Sequence, residues 1–150
     1  MKHMKSFFFA LLFCNTVFLA CSQDIAPAQV PALVKNAQQI KFPDATQVEW
    51  EKKPYGYEAE FYLGSVEYKA CISSEGKIIM YHQDISLSEL PNEVSSAVKK
   101  AYADYTIDAN DLEKIVKNDE VFYKVELEKG TQDLTQYYSS KGSVVPAPAI

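Results

Sequence analysis

The sequence predicts an α+β fold in which two tandem repeats, each a helix followed by four antiparallel strands, form one curved sheet with both helices on one face. Three observations predict it. Short sequence blocks recur in the same order, each copy begins with an apolar stripe at helical spacing, and a period of two follows each stripe. Short turns join the predicted strands, so neighbouring strands are expected to be antiparallel.

The duplication rests on three pairs of matching blocks. These are residues 31–37 with 91–97, 57–61 with 123–127, and 74–79 with 140–145. The first pair is offset by 60 residues and the other two by 66. We interpret the difference as a six-residue insertion between the helix and the strands of the second copy.

Each copy begins with a predicted amphipathic helix. Pro31 and Pro91 suit a first helical turn, where the missing N–H costs nothing. The first apolar stripe consists of Val30, Leu33, Val34, Ala37 and Ile40. The second is longer and consists of Leu90, Val94, Ala97, Val98, Ala101, Tyr102 and Tyr105.

Eight strands are predicted from alternating apolar and polar residues. They are 46–51, 55–63, 66–73 and 77–83 in the first copy, and 111–117, 122–128, 133–139 and 143–145 in the second. The alternation leaves one face of the sheet that no helix covers. We place on it the candidate partner-binding residues Tyr62, Lys69, Cys71, Phe122 and Tyr137. Aromatic rings on an uncovered face are typical of a partner surface, although cross-strand pairing within the sheet is the alternative.

The amino terminus predicts export. Lys2 and Lys5 precede an apolar run that extends to Ala20 and is too short to span a bilayer. Residues 1–20 are therefore interpreted as a signal peptide, with delivery to the periplasm or cell surface. Residues 21–29 are predicted to be a linker, and residues 146–150 a loose tail.

Two ways of processing the signal stay open. Residues 18–21 (Phe-Leu-Ala-Cys) resemble a lipobox, in which Cys21 would be lipidated and would anchor the chain to a membrane. The alternative is a small-x-small signal at residues 20–22, with cleavage before Gln23.

Composition argues against nucleic acid as a partner. Without residues 1–20 the chain carries 13 Lys and no Arg against 20 Asp and Glu, a net charge of −7. An acidic surface repels a polyanion, and no guanidinium fork is present for bidentate phosphate contacts.

The sequence predicts no catalytic site and no cofactor. His82 is the only His beyond residue 20, no CxxC pair occurs, and no glycine-rich phosphate loop is present. Cys71 is interpreted either as a reactive thiol or, preferentially, as a small apolar filler. Four acidic residues are candidate calcium ligands, namely Asp104, Asp108, Asp111 and Glu113.

Five short motifs resemble the PepSY-like family of exported bacterial proteins, which is common in Bacteroides-type organisms. They are Phe42-Pro43-x-Ala45, Val48-x-Trp50, Tyr57-x-x-x-Phe61, the turn at Gly76, and Leu90-Pro91-x-x-Val94. The resemblance covers residues 30–145, divided into repeats 30–86 and 88–145. It implies a fold similar to the β-lactamase-inhibitor protein and supplies no catalytic residues.

Together these features predict a non-catalytic binding module. Its open sheet face would contact an envelope or extracellular protein as an inhibitor or adaptor. The alternative hypothesis is a periplasmic sensor that responds to a small ligand or to calcium.

Overall fold

The computed structural model describes residues 23–150. The predicted signal peptide and the lipidation of Cys21 lie outside the described residues. Two α-helices, α1 (Ala32–Lys41) and α2 (Asn92–Ala101), each follow a short 3-10 turn, Pro27–Gln29 and Leu87–Glu89 respectively. The strands are β1 Gln23–Asp24, β2 Thr46–Lys53, β3 Gly56–Leu63, β4 Val66–Ile72, β5 Ile78–Asp84, β6 Thr106–Lys117, β7 Glu120–Lys129, β8 Gln132–Ser139 and β9 Val144–Val145.

The strands form one antiparallel sheet whose spatial order, β1 to β9, is also the order along the chain. The helices of both repeats pack on one face of it. The predicted fold class is therefore confirmed. The sheet has one strand more than the eight predicted, because part of the predicted linker forms β1. This strand pairs with β2, and Asp24 lies opposite Glu51.

Each repeat has its own apolar core between helix and sheet. The first contains Val30, Val34, Phe42, Trp50, Tyr57, Ala59, Phe61, Ala70 and Ile72. The second contains Ile85, Leu90, Val94, Val98, Leu112, Tyr123, Val125, Leu127 and Tyr138. Trp50, Tyr57 and Phe61 are thus buried in the first core, between α1 and the sheet.

The apolar stripes predicted for the helices are partly wrong. Leu33 is 64% exposed and Ile40 83% exposed, whereas Gln38 is 2% exposed. A ten-residue helix that lies on a sheet buries only a narrow strip of its surface. In α1 the buried residues of this strip are Val34 and Gln38, four residues apart, and Leu33 and Ile40 lie outside it.

Helix α2 is shorter than its predicted stripe. It ends at Ala101, and Tyr102 adopts φ −130°, outside the helical range. Tyr105 follows the helix and stacks edge-on against Tyr102, with ring centroids 5.7 Å apart. Both rings pack against the second core from the loop.

The six-residue insertion of the second repeat was predicted to lie between the helix and the strands, and this prediction is wrong. Thr106 still corresponds to Thr46, at the offset of 60. Two extra residues fall within β6, where its pairing with β7 is irregular between Ile107 and Leu112. The remainder lengthens the β6–β7 hairpin, whose turn residues Asn118 and Asp119 both have positive φ.

Candidate binding surface on the open sheet face

The face opposite the helices is the candidate binding surface, here called the open face. Residues of β3 and β4 alternate between the two faces of the sheet. Ala59 and Ala70 pair with each other on the face that the helices cover, so the neighbouring pair, Glu58 and Cys71, lies on the open face. The register continues this face across Lys69↔His82, Ile115↔Phe122 and Lys124↔Tyr137. All five candidate partner-binding residues, Tyr62, Lys69, Cys71, Phe122 and Tyr137, therefore lie on it.

A small third apolar cluster interrupts the open face at its centre. Cys71, Met80 and Ile115 are buried, with 2%, 6% and 1% exposure. Four side chains pack over them, namely Tyr55, Ile79, Phe122 and Tyr137. Phe122 and Tyr137 are half-buried as a result, so part of each ring supports the sheet and part remains available to a partner.

Cys71 is covered by Tyr55, which the sequence placed in strand 55–63 but which lies in the β2–β3 turn. The Tyr55 hydroxyl donates to Glu58 Oε2 at 2.8 Å and lies 3.4 Å from Cys71 Sγ. Burial raises the pKa of the Cys71 thiol to about 11, with the nearby Glu58 carboxylate adding to the effect. The thiol is thus packed beneath the surface and is protonated at neutral pH.

Three lysines on the open face each lie between two carboxylates. Lys53 pairs with Glu51 and Glu58, Lys69 with Glu60 and Glu67, and Lys124 with Asp111 and Glu113, all within 3.5 Å. Every such group carries one surplus negative charge. The open face is consequently acidic, although its lysines are held in place.

Tyr62 is a further half-buried aromatic side chain on this face. Its hydroxyl donates to Glu67 Oε2 at 3.0 Å, and this hydrogen bond, with the Glu67 charge, raises the pKa of Tyr62. The ring is not part of the buried cluster around Cys71. Tyr62 and Lys69 share Glu67 as a partner, so the ring and the ammonium group are held side by side.

His82 of β5 is joined to Glu113 of the neighbouring strand β6. His82 Nδ1 lies 2.6 Å from Glu113 Oε2, and Lys124 donates to Glu113 Oε1 at 3.1 Å. Burial disfavours the charged Glu113, but the hydrogen bonds from His82 and Lys124 outweigh it and lower its pKa to about 2. Glu113 is therefore a half-buried link between β5, β6 and β7 that is ionised at neutral pH.

The candidate calcium ligands do not converge. Asp111 and Glu113 bind the ammonium of Lys124, Asp104 binds Lys129 at 3.3 Å, and Asp108 accepts from the backbone and side chain of Asn110. Within residues 23–150 no group of three or more His, Cys, Asp or Glu side chains is arranged to hold a metal ion.

The match between the two copies extends further towards the amino terminus than the three pairs of blocks. Asp24-Ile25 precedes α1 as Asp84-Ile85 precedes α2, at the same offset of 60 as Pro31 and Pro91. Ile25 N donates to Trp50 O, and Ile85 N donates to Leu112 O. This Asp-Ile pair was the available signal for strand β1 and for the residues around it.

A cavity of about 350 Å³ opens at the β1–β2 edge of the sheet. Its lining comprises five acidic residues, Asp24, Glu49, Glu51, Glu58 and Glu60, together with Ile25, Pro27, Val48 and Trp50. It forms because β1 pairs with β2 only as far as Ile25, after which the chain turns away into the 3-10 turn. Glu58 and Glu60 belong to the open face, so cavity and face are continuous.

The fold and the open face define a tandem-repeat module of one sheet with two helices on one side. The family described as "Putative beta-lactamase-inhibitor-like, PepSY-like" matches residues 19–80 and 57–145. The chain belongs to this family, which confirms the resemblance drawn from its motifs. No curated protein sequence matches the chain.

Three solved structures from Bacteroides share the fold. A DUF2874 family protein from B. uniformis has 18% identity and a TM-score of 0.71, covering 77% of this chain and 86% of its own. A structure from B. eggerthii described as "putative periplasmic proteins" has 17% identity and a TM-score of 0.71, covering 78% and 86%. A BLIP-like protein from B. fragilis has 21% identity and a TM-score of 0.68, covering 77% and 83%.

In the part of the chain that the structure describes, no helix is long and apolar enough to cross a membrane.

Proposed function

We propose that the protein is an exported, non-catalytic binding module that holds another envelope or extracellular protein against its open face, as an inhibitor or an adaptor. The observation that carries this proposal is the composition of that face. It combines half-buried aromatic rings with charged groups fixed in ion pairs. Aromatic rings contribute a large contact area and lose little side-chain entropy on binding. Charges held in fixed positions favour a partner with complementary charges over other partners.

Export is part of the proposal and has two supports. The amino-terminal residues have the pattern of a signal peptide. A structurally similar protein from B. eggerthii carries the description "putative periplasmic proteins". Attachment to the membrane through a lipid on Cys21 remains part of the proposal, with cleavage before Gln23 as its alternative.

The sensor alternative has less support. Its calcium version needs several oxygen ligands around one point. In residues 23–150 the acidic candidates instead bind lysines or the backbone.

Affinity capture from the native envelope tests the proposal. The wild-type protein is compared with a variant carrying Tyr62→Ala, Phe122→Ala and Tyr137→Ala, and we expect the variant to lose its specific partner. Because Phe122 and Tyr137 also support the sheet, Lys69→Glu is included as a variant that reverses a surface charge without removing a ring.

The matched control lies on the opposite face. Leu33→Ala and Ile40→Ala remove two exposed apolar side chains from α1 and should leave capture unchanged. Circular dichroism checks that each variant is folded. Capture of the same partners by the triple variant, by Lys69→Glu and by the wild type would rule out the open face as the binding surface.

A further inference from the structure

The outer edge of β8 is paired over only part of its length. Its inner side pairs with β7 at every residue. On the outer side, β9 pairs with Tyr137 and Tyr138, and no other strand of residues 23–150 lies there. Residues 132–136 therefore form an open sheet edge, and the outward backbone groups of such an edge are a template for a further strand.

The backbone of Asp133 and Thr135 faces this open edge. Ser139 N donates to Ser143 O in the turn that leads into β9, so the backbone groups of Ser139 point to the outer side. These groups alternate in direction from residue to residue along an antiparallel strand, and the pairing of β7 with β8 has no irregularity. Asp133 and Thr135 therefore point outward as well. The side chain of Gln136 donates to Thr135 O at 2.9 Å, and the Thr135 N–H stays open to an incoming strand.

The first repeat shows what lies at the equivalent edge. At the offset of 66, β4 corresponds to β8 and Lys69 corresponds to Thr135. Lys69 lies opposite His82 of β5, and the next pair is Ala70 with Tyr81. Tyr81 also packs against the first core. An extended antiparallel strand at this position thus adds both ladder hydrogen bonds and an apolar contact.

The chain does not supply such a strand to the second repeat. At the offset of 66, residues 80–84 of β5 correspond to residues 146–150, which follow β9. Two of these five residues are prolines, which lack the backbone N–H that a ladder strand donates. The segment instead crosses the open face, where Lys117 of β6 donates to the carbonyl of Ala149. The edge at Thr135 is left unoccupied by it.

We propose that the open edge of β8 accepts an extended antiparallel strand of the protein that docks on the open face. The inference rests on the proposed function, since the docked partner supplies the strand. Backbone hydrogen bonds to Asp133 and Thr135 fix its register, as they do when a peptide adds to a sheet edge. Tyr137 lies on the same strand and on the open face, so one partner can contact both the face and the edge.

The charge beside the edge favours a basic strand over a second copy of this chain. On the open face, Glu126 lies opposite Thr135 and Glu128 lies opposite Asp133. Lysine or arginine side chains of the incoming strand complement these three carboxylates. On the helix side, Leu134 packs against the second core and offers an apolar contact. A second copy would place its own acidic edge against this one, and like charges that lie opposite each other destabilise a sheet.

The test titrates a seven-residue peptide of alternating valine and lysine, blocked at both ends, while the backbone amide signals of Asp133 and Thr135 are followed by NMR. The control peptide has the same sequence but carries a backbone N-methyl group at each lysine. With the lysines on the open face, these are the nitrogens that face β8. We expect saturable shifts with the first peptide alone, because the control keeps the charge and loses the donors.

Thr135→Pro tests the same contact from the side of the protein. It removes the outward N–H and leaves the bonds to β7, which proline tolerates at a sheet edge. We expect it to weaken peptide binding at least about tenfold. Thr135→Val is the matched control, because it keeps the N–H and the branched side chain, and it should bind within about twofold of the wild type. Circular dichroism checks folding, and the methylated peptide gives the same test in the unmodified protein.

Three results would overturn the inference. They are equal binding of the methylated peptide, equal affinities of the proline and valine variants, and titrations without saturation. Sedimentation of the protein alone examines the other occupant. A dimer that Thr135→Pro abolishes would assign the edge to a second copy and would overturn a partner strand.

Capture experiments separate this inference from the proposed function. If Thr135→Pro loses both the peptide and the native partner, the partner adds a strand at this edge. If Thr135→Pro keeps the partner while the Tyr62, Phe122 and Tyr137 variant loses it, docking on the face stands and the edge inference fails. If the aromatic variant keeps the partner and Thr135→Pro loses it, docking on the open face fails and the edge stands.

Discussion

Gly76, in the turn between β4 and β5, lies directly against the backbone carbonyl of Leu33 in the first turn of α1. A Cβ at Gly76 would lie 2.7 Å from Leu33 O, and the glycine has φ +78°. Gly142 repeats the relationship with Glu93 of α2, at 2.4 Å and φ +75°. The hairpin turn of each repeat therefore sets how closely its helix approaches the sheet.

Alanine at either glycine should destabilise the fold. We expect Gly76→Ala and Gly142→Ala each to lower the free energy of unfolding by about 2–4 kcal/mol, since positive φ and a backbone collision act together. Gly130→Ala is the control, because φ is +64° there but no atom of the described residues lies within 4 Å of the added Cβ, and it should cost about 1 kcal/mol. Urea denaturation measures all three, and equal losses would show that backbone conformation alone matters.

Gln38 is expected to lower the stability of the folded protein. It is 2% exposed, and its side-chain nitrogen has no hydrogen-bond partner among the described residues. The equivalent position in α2 is Val98. Gln38→Met keeps the side-chain length without the buried amide, so we expect a gain of about 1 kcal/mol by thermal or urea denaturation. Gln39→Met, at the exposed neighbouring position, should change little, and destabilisation by Gln38→Met would show that the amide is satisfied in solution.

Cys71 should resist thiol reagents in the folded protein. In a chain carrying Cys14→Ser and Cys21→Ser, we expect slow labelling at pH 8, because the thiol is buried and its pKa is raised to about 11. Tyr55→Gly removes the covering ring and should accelerate labelling about tenfold or more. Tyr55→Phe keeps the ring and should label almost as slowly as the wild type. Fast labelling of the wild type would mean that Cys71 is reachable by a partner.

Glu113 should contribute to acid sensitivity. Its pKa in the folded protein is about 2, below the ordinary value of 4.5, because the hydrogen bonds to His82 and Lys124 outweigh burial. A depressed folded-state pKa gives stability that is present above pH 4.5 and lost as pH falls towards 2. The stability difference between wild type and Glu113→Gln should shrink across that window in urea titrations. For the control Ser140→Ala, an uncharged surface change, the stability difference from wild type should not vary with pH. A difference for Glu113→Gln that also stays constant across the window would show that the pKa of Glu113 is not lowered by folding.

Much of the fold could be predicted because two periodicities and an internal repeat point to the same answer. The alternation around Ala59 and Phe61 fixed which residues of β3 face the helix, and it also placed Tyr62 on the open face. Leu33 and Ile40 show the limit of this reasoning. Helical spacing identifies an apolar side, but the sheet beneath it decides how wide a strip is covered.

The candidate site was less predictable, because its key contacts join residues far apart in sequence. Tyr55 covers Cys71 only because a two-residue turn folds it over the sheet, and His82 meets Glu113 only through the pairing of β5 with β6. The cavity beside Glu49 depends on where β1 stops pairing. That boundary could have been found by extending the repeat back to Asp24.

The order of the strands has a consequence for how the protein reaches its folded state. Each strand pairs with its neighbours along the chain, so the contacts are local, apart from the passages through α1 and α2. Local contacts favour rapid folding without long-range searching. A chain that emerges amino terminus first would then complete β1 to β4 before β6 to β9 are available. We expect pulse-labelling hydrogen exchange during refolding to show protection in β3 and β4 without requiring β8, and simultaneous protection of all strands would contradict this sequential assembly.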